Sequence, residues 1–177
     1  MLRPSKKTQI LDAAVTLIET GGLEAVSYEA LAEASNMSKS GIIYHFPSRH
    51  EIMRGIHQHL ADQWEHELER NAGGPADAVD TKTRLQAMVL SLANSATKTE
   101  LLLEIDARSN PDFAEIWRQV DERWAPGAAG IEDDETLRAH YLVQLLADGL
   151  WLHDYVHEQP LTRAQRRTLT EEILKML

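Results

Sequence analysis

Ser38-Lys39-Ser40-Gly41-Ile42-Ile43-Tyr44-His45 is the stretch whose residue types most clearly address a chemical partner. Its start offers small hydroxyls and one cation, and its end a phenol and an imidazole. That set suits a polyanion. Lys39 can reach a guanine edge or a phosphate, while Tyr44 and His45 lie against a sugar–phosphate backbone. Ser27 and Ser38 each read as helix N-caps, and the N–H groups at helix starts favour phosphate oxygens. Gly41 inside a helix costs about 1 kcal/mol relative to alanine, and close approach to a groove floor is one reason to keep it. The same spacing occurs in helical proteins that bind no DNA, with Tyr44 and Phe46 as core. Spacing alone leaves both readings open.

A second set of residues lies further along. The chain has four tryptophans, and aromatic walls with methionine suit a flat, adaptable ligand. Glu104, Asp106 and Asp148 sit at the edges of apolar stripes, where a carboxylate attracts a cation and nearby rings add cation–π attraction. Asp148 falls between Leu145 and Leu152 in a helix apolar on more than one face, where an unpaired carboxylate is costly. A salt bridge to an arginine is the plain alternative. Each aromatic residue has core as its ordinary role.

Other chemistries are poorly served. The sequence has no cysteine, which excludes thiolate nucleophiles and thiolate-bound metals. Of the eight histidines, His57 and His59 point to different helix faces, and His153 and His157 share a face without a third ligand nearby. No metal and no cofactor are expected. A Gly-rich phosphate loop, a nucleophile elbow and a carboxylate–histidine helix motif are all missing, so an enzyme is not expected.

The elements that must position these residues are helical throughout. Ile10, Ala13, Ala14, Leu17 and Ile18 form one stripe, stopped by Gly21-Gly22. Ser27 opens a short helix over 28–34, with Val26 and Leu31 as a hydrophobic staple. Ser35-Asn36-Met37 is a tight break, and Ser38 caps a second short helix through Tyr44. Ser48-Arg49-His50-Glu51 reads as a capping box before a long helix with Ile52, Ile56, Leu60, Trp64 and Leu68 inward. Further helices are predicted over 78–97, around 101–107, after Asn110-Pro111, over 137–156 and after the box Thr162–Gln165. The fold class is all-α, with about nine helices.

Lysine plus arginine number 18 against 28 acids, a formal charge of -10 in 177 residues. Bulk coating of nucleic acid or of an anionic membrane is therefore excluded. The imbalance is uneven. Residues 1–50 carry five bases and five acids, so residues 51–177 hold the whole excess. Arg3, Lys6 and Lys7 precede the first acid, which makes the first segment locally basic. No apolar run is long enough to span a membrane and no secretory leader is visible, so a cytoplasmic protein without a membrane partner is expected.

Residues 5–53 resemble the DNA-binding domain of TetR-family transcriptional regulators. The likeness rests on Gly21-Gly22, on Ser27-Tyr28-Glu29-Ala30-Leu31-Ala32, and on Ser38 through Phe46 with its Tyr44-His45-Phe46 triplet and the capped helix that follows. The resemblance is nearest to multidrug-responsive members. It implies a homodimer, a palindromic double-stranded operator, and repression relieved by a small-molecule effector. Residues 1–50 would then form the helix-turn-helix domain, and residues 51–177 the ligand-binding and dimerisation domain. Lys39, Ser40 and Gly41 sit where the family reads bases. Ser27, Tyr28, Ser38, Tyr44, His45 and Arg49 sit where it holds phosphates, with Lys6 in the basic leader beside them. Two departures stand out: Ile42-Ile43 where relatives often carry a hydrogen-bonding or aromatic residue, and Asn36-Met37 where Gly-Val is common.

The resemblance also places Trp64, Met88, Leu92, Phe113, Trp117, Tyr141 and Leu146 on helices that enclose the family's effector pocket. Glu104, Asp106 and Asp148 would then favour an aromatic or lipophilic cation over a neutral or anionic metabolite. For the dimer, helices 137–156 and 162–177 are the candidates. Gly149 permits close approach, with Leu145, Leu152, Leu169, Ile173 and Met176 as the contact. The reading from a different class is an all-helical protein–protein adaptor, with residues 28–46 as its docking surface.

Overall fold

Short polar side chains set the start of most elements in the computed structural model, which describes residues 5–177; Arg3 lies outside them. Ser5 Oγ accepts the Thr8 N–H at 3.1 Å and opens α1, Lys6–Gly21. Gly22, at φ +72°, turns the chain out of that helix while its N–H donates to the Ile18 carbonyl. Ser27 caps α2, Tyr28–Ala34, and Ser38 caps α3, Lys39–His45, each accepting an N–H at 3.1 Å. Between them Asn36 takes φ +53°, as expected of the residue in that break best suited to positive φ. The buried face of α1 is Ile10, Leu11, Ala14 and Ile18. Leu11 is buried with them while Ala13 and Leu17, expected on that stripe, are half-buried, so the buried face is rotated toward Leu11.

Ser48 Oγ accepts the Glu51 N–H at 3.1 Å and starts α4, Arg49–Ala72. The whole expected stripe, Ile52 to Leu68, is buried. Gly55 on α4 lies under the Phe46 ring, and a Cβ there would sit 2.7 Å from Phe46 Cε1 and 3.2 Å from Leu11 Cδ2. Phe46 is itself buried and has nowhere to yield. Gly55→Ala is therefore expected to destabilise the protein by about 1–3 kcal/mol. Urea unfolding would measure it, and an unchanged midpoint would contradict the packing described.

The next helix is shorter than its hydrophobic pattern predicts. Asp80 caps it through the Thr83 N–H at 2.7 Å, so α5 spans Thr81–Asn94 rather than 78–97, and Ala76–Ala78 forms a 3-10 turn. The rest are α6, Lys98–Ala107; α7, Pro111–Trp124; α8, Glu135–Val156; and α9, Arg163–Leu174. The Thr162–Gln165 capping box is present in full at the start of α9. The described residues contain nine α-helices and no strand.

Two compact units emerge. The first runs to Asp62 and takes in Lys98–Trp117; the second comprises Gln63–Thr97 and Arg118–Leu177. The partition expected at residue 50 falls at the start of α4. The first unit extends past it because α6 packs on α1 and the beginning of α7 packs on α4. In the second unit α8 lies against α5 through Val143, Ala147, Leu150 and Trp151. Its apolar arc is not covered on both sides within one chain, contrary to expectation. Leu142, Leu145, Leu146 and Leu152 remain exposed because α9 covers only part of that face.

Candidate nucleic-acid interface and ligand-binding unit

The α2–α3 pair presents its polar residues outward. Tyr44 is 81% exposed, Ile43 stands beside it, and Ser38 and Ser40 are exposed at the start of α3 with their hydroxyls 3.1 Å apart. The Tyr44 ring meets His45 edge-on. Lys39, also exposed, donates from Nζ to Glu29 on α2, and that bond holds the Glu29 carboxyl below its ordinary range. Lys6 is exposed at the start of α1. A Cβ on Gly41 would come within 3.2 Å of Ser38 Oγ, so the cap of α3 already accounts for part of the preference for glycine.

Two of the residues matched to phosphate contacts hold the domain together. The Tyr28 hydroxyl donates to the Phe46 carbonyl at 2.9 Å, fastening α2 to the end of α3. The Arg49 guanidinium donates to the Val26 and Leu23 carbonyls and lies 3.7 Å from Glu24, which ties the start of α4 to the turn before α2. The hydroxyls of Ser27 and Ser38 are the caps themselves. Lys39, Ser40, Tyr44 and His45 thus make up the outward-facing set, standing on a frame fixed by Tyr28, Arg49 and Phe46.

Three residues matched to the ligand, Asp106, Phe113 and Trp117, come together elsewhere in the same unit around His57, a histidine whose spacing in the sequence bears only on metal binding. His57 is fully buried, and Trp117 donates its indole N–H to His57 Nδ1 at 2.9 Å. Indole nitrogen only donates, so Nδ1 is the acceptor and the neutral ring carries its proton on Nε2. That nitrogen faces Asp106 Oδ2 at 3.4 Å. Burial pushes the imidazole pKa down, and Asp106 partly opposes the shift. Phe113 stacks on His57 at 4.5 Å and on His50 at 5.1 Å, while His50 pairs with Asp112 at 3.2 Å. One signal was legible: His57 follows Ile56 on the buried stripe of α4, where a neutral, fully bonded imidazole fits. Trp117→Phe leaves Nδ1 buried without a donor and is expected to cost about 1–3 kcal/mol. Chemical denaturation at neutral pH measures this, and full retention of stability would count against the bond.

In the second unit the Arg123 guanidinium grips Glu65 through two bonds of 2.6 Å, and Trp124 adds an indole bond to the same carboxylate at 3.1 Å. Trp64, Met88 and Leu92 are buried, Tyr141 is half-buried on α8, and Glu104 is half-buried on α6 of the first unit. Asp148 differs from all of these. It is half-buried and, among the described residues, makes neither hydrogen bond nor ion pair, so the alternative of a salt bridge to an arginine is not seen there. Burial, reinforced by the Asp121 carboxylate, raises its pKa to about 6. One turn earlier on the same face of α8, Gln144 Oε1 is buried without a partner, as are Ser91 Oγ on α5 and Glu67 Oε1 on α4.

The exposed side of α8 and α9 forms an apolar groove. Leu145, Gly149, Leu169, Ile173 and Met176 of the expected dimer contact line it, together with Leu146, which the resemblance had assigned to the ligand. Leu152 is exposed on the same helix. Behind the groove, Arg166 binds Asp154 at 2.6 Å and the Leu150 carbonyl at 2.9 Å, locking α9 onto the end of α8. Nothing lines Gly149 on the open side, where a Cβ would meet no atom within 4 Å.

Residues 10–56 match the model for bacterial regulatory proteins of the tetR family, and residues 80–177 match a tetracyclin repressor-like C-terminal domain. The chain belongs to the tetR family of bacterial regulatory proteins. It is a DNA-binding transcriptional regulator with a ligand-binding domain, not an enzyme. The regulator is 24% identical over 183 residues to the HTH-type transcriptional regulator BetI of Proteus mirabilis, spanning 97% of this chain and 90% of that protein. BetI of Burkholderia mallei is 25% identical over 190 residues, 99% of this chain and 95% of the relative. Among solved structures, a transcriptional regulator from Saccharomonospora viridis in complex with choline superposes with a TM-score of 0.72 at 18% identity, covering 96% of this chain and 93% of that one. The multidrug binding protein EbrR complexed with malachite green gives 0.65 at 16% identity, covering 98% and 99%. At these identities the structural likeness is one of fold. No helix among the described residues is long and apolar enough to cross a membrane.

Proposed function

We propose that this regulator is a homodimeric repressor that binds a palindromic operator and is released by an aromatic or lipophilic cation. The cation reading rests on Asp148. Its half-buried, unpaired carboxylate is an expensive feature that a bound positive charge would offset. Gln144 Oε1, an acceptor buried without a partner one turn earlier on the same face of α8, supports the same class of ligand. Trp64, Met88, Leu92 and Tyr141 supply apolar and aromatic surface in that unit. The choline bound in the Saccharomonospora viridis regulator and the malachite green bound in EbrR are cations held by the same fold.

Residues 1–50 act as the reading domain and residues 51–177 as the sensing and dimerising domain. Lys39, Ser40 and Gly41 approach base edges, and Ser38, Tyr44, His45 and Lys6 hold phosphates. The apolar groove on α8 and α9 is closed by a second copy. A two-fold pair places two α3 helices in successive major grooves, about 34–36 Å apart or a multiple of that. An effector that favours the DNA-incompetent spacing by about 1–3 kcal/mol would lower operator affinity 5–150-fold. Enrichment of random duplexes on the purified protein is the test. A palindrome with half-sites one turn or a multiple apart, bound with steep salt dependence, is the expected product. Enrichment of no palindrome would overturn the two-fold operator reading.

A further inference from the structure

The cations of the reading unit differ in how firmly they are held. Arg49 is bonded to two backbone carbonyls, and Lys7 lies over the Phe46 ring at 5.4 Å. Among the described residues Lys39 is held only by another exposed side chain, Glu29, which sits in the first turn of α2; the two side chains are 54% and 70% exposed. An ion pair between exposed, flexible side chains is weak. A partner of fixed geometry displaces it readily, whereas a diffuse one competes on nearly equal terms.

We propose that Glu29 is a specificity-determining residue: it holds Lys39 back from phosphates of non-operator DNA and releases it to a base edge of the operator. A guanine presents O6 and N7 in a fixed pattern that a lysine ammonium can satisfy. Non-specific phosphates offer only charge, and Glu29 already supplies that. The Glu29 carboxylate keeps a negative charge beside α3 and is one of the five acids that cancel the five bases of residues 1–50. Electrostatic attraction to phosphate accounts for essentially all non-specific binding, so this neutral surface lowers binding to bulk DNA while leaving directional contacts available. The inference rests on α3 being the helix that faces DNA.

The test uses Glu29→Gln, Lys39→Met and the double variant of the full-length protein, titrated against the enriched operator and against a scrambled duplex across a salt series. Glu29→Gln should bind the scrambled duplex about 3–10-fold more tightly, with a log–log salt slope steeper by about 0.9, one further phosphate. Its operator affinity should rise about 2-fold or less, so the specificity ratio falls. In the Lys39→Met background the same change should have no effect. A Glu29→Gln protein with unaltered scrambled-duplex affinity, alongside a weakened Lys39→Met, overturns the role of Glu29 alone. An equal gain in the Lys39→Met background shows general charge repulsion and overturns the pairing. If Lys39→Met alters neither affinity, the reading of α3 as the DNA-facing helix falls with the proposal.

Discussion

Leu145→Arg is expected to leave each chain folded, to separate the dimer, and to weaken operator binding by about 100-fold or more. Leu145 is 52% exposed in the single chain and lines the apolar groove with Gly149, Leu169 and Ile173. Within one chain the guanidinium meets water, so α8 keeps its packing on α5 through Val143, Ala147, Leu150 and Trp151. In the proposed two-fold interface the same patch comes from both sides, and each arginine would be desolvated in an apolar contact whose lining carboxylate, Glu172, is already paired with Lys175. Joining two reading heads adds roughly 10²–10⁴ in effective affinity without any new DNA contact, and a monomer forfeits that factor. Sedimentation at micromolar concentration and operator titration read the two effects. A variant that still sediments as a dimer with full operator affinity would refute the proposed interface.

The second large effect belongs to Asp148. Its carboxyl has a pKa of about 6 in the folded protein against 3.8 ordinarily, because burial and Asp121 disfavour the charge. Between those values the folded state keeps a proton that the unfolded chain has lost. Stability therefore falls as pH rises from about 4 to about 6, and above that window the full cost is incurred, up to about 3 kcal/mol. Asp148→Asn removes both the slope and the cost, so at neutral pH the free protein should become more stable by as much as that. The same substitution should weaken binding of a cationic probe such as malachite green at least about 10-fold, since a desolvated charge partner is lost. Thermal unfolding across pH and fluorescence titration are the readouts. A variant that is less stable at neutral pH and binds the probe unchanged would mean that Asp148 is an internal structural group.

Local rules explain how far the sequence could be read. Ser27, Ser38, Ser48 and Thr162 act over three residues, and each starts its helix where the pattern places it. Asn36 likewise declares its turn through its own backbone preference. The start of α5 lies later than the predicted 78 because a single side-chain bond, Asp80 to the Thr83 N–H, sets it, and hydrophobic spacing does not register a cap. Partners distant in sequence were less visible. Tyr28 and Arg49 look like phosphate ligands by position, yet their polar atoms reach carbonyls 18 to 26 residues away. The Trp117–His57–Asp106 junction joins three helices, and no spacing rule connects residues 49 and 60 positions apart. The wide apolar arc of α8 predicts burial on two sides, yet one side is exposed in the single chain, because periodicity does not say whether the cover comes from the same chain.

The most direct test of a ligand-responsive repressor is a single coupled titration. The protein bound to its enriched operator is titrated with malachite green, following tryptophan fluorescence and duplex anisotropy together. Quenching that tracks release of the duplex, with operator affinity lowered 5–150-fold at saturation, is the predicted result. Quenching with the duplex still bound, or release without any ligand-dependent quenching, would contradict the coupling on which the account rests.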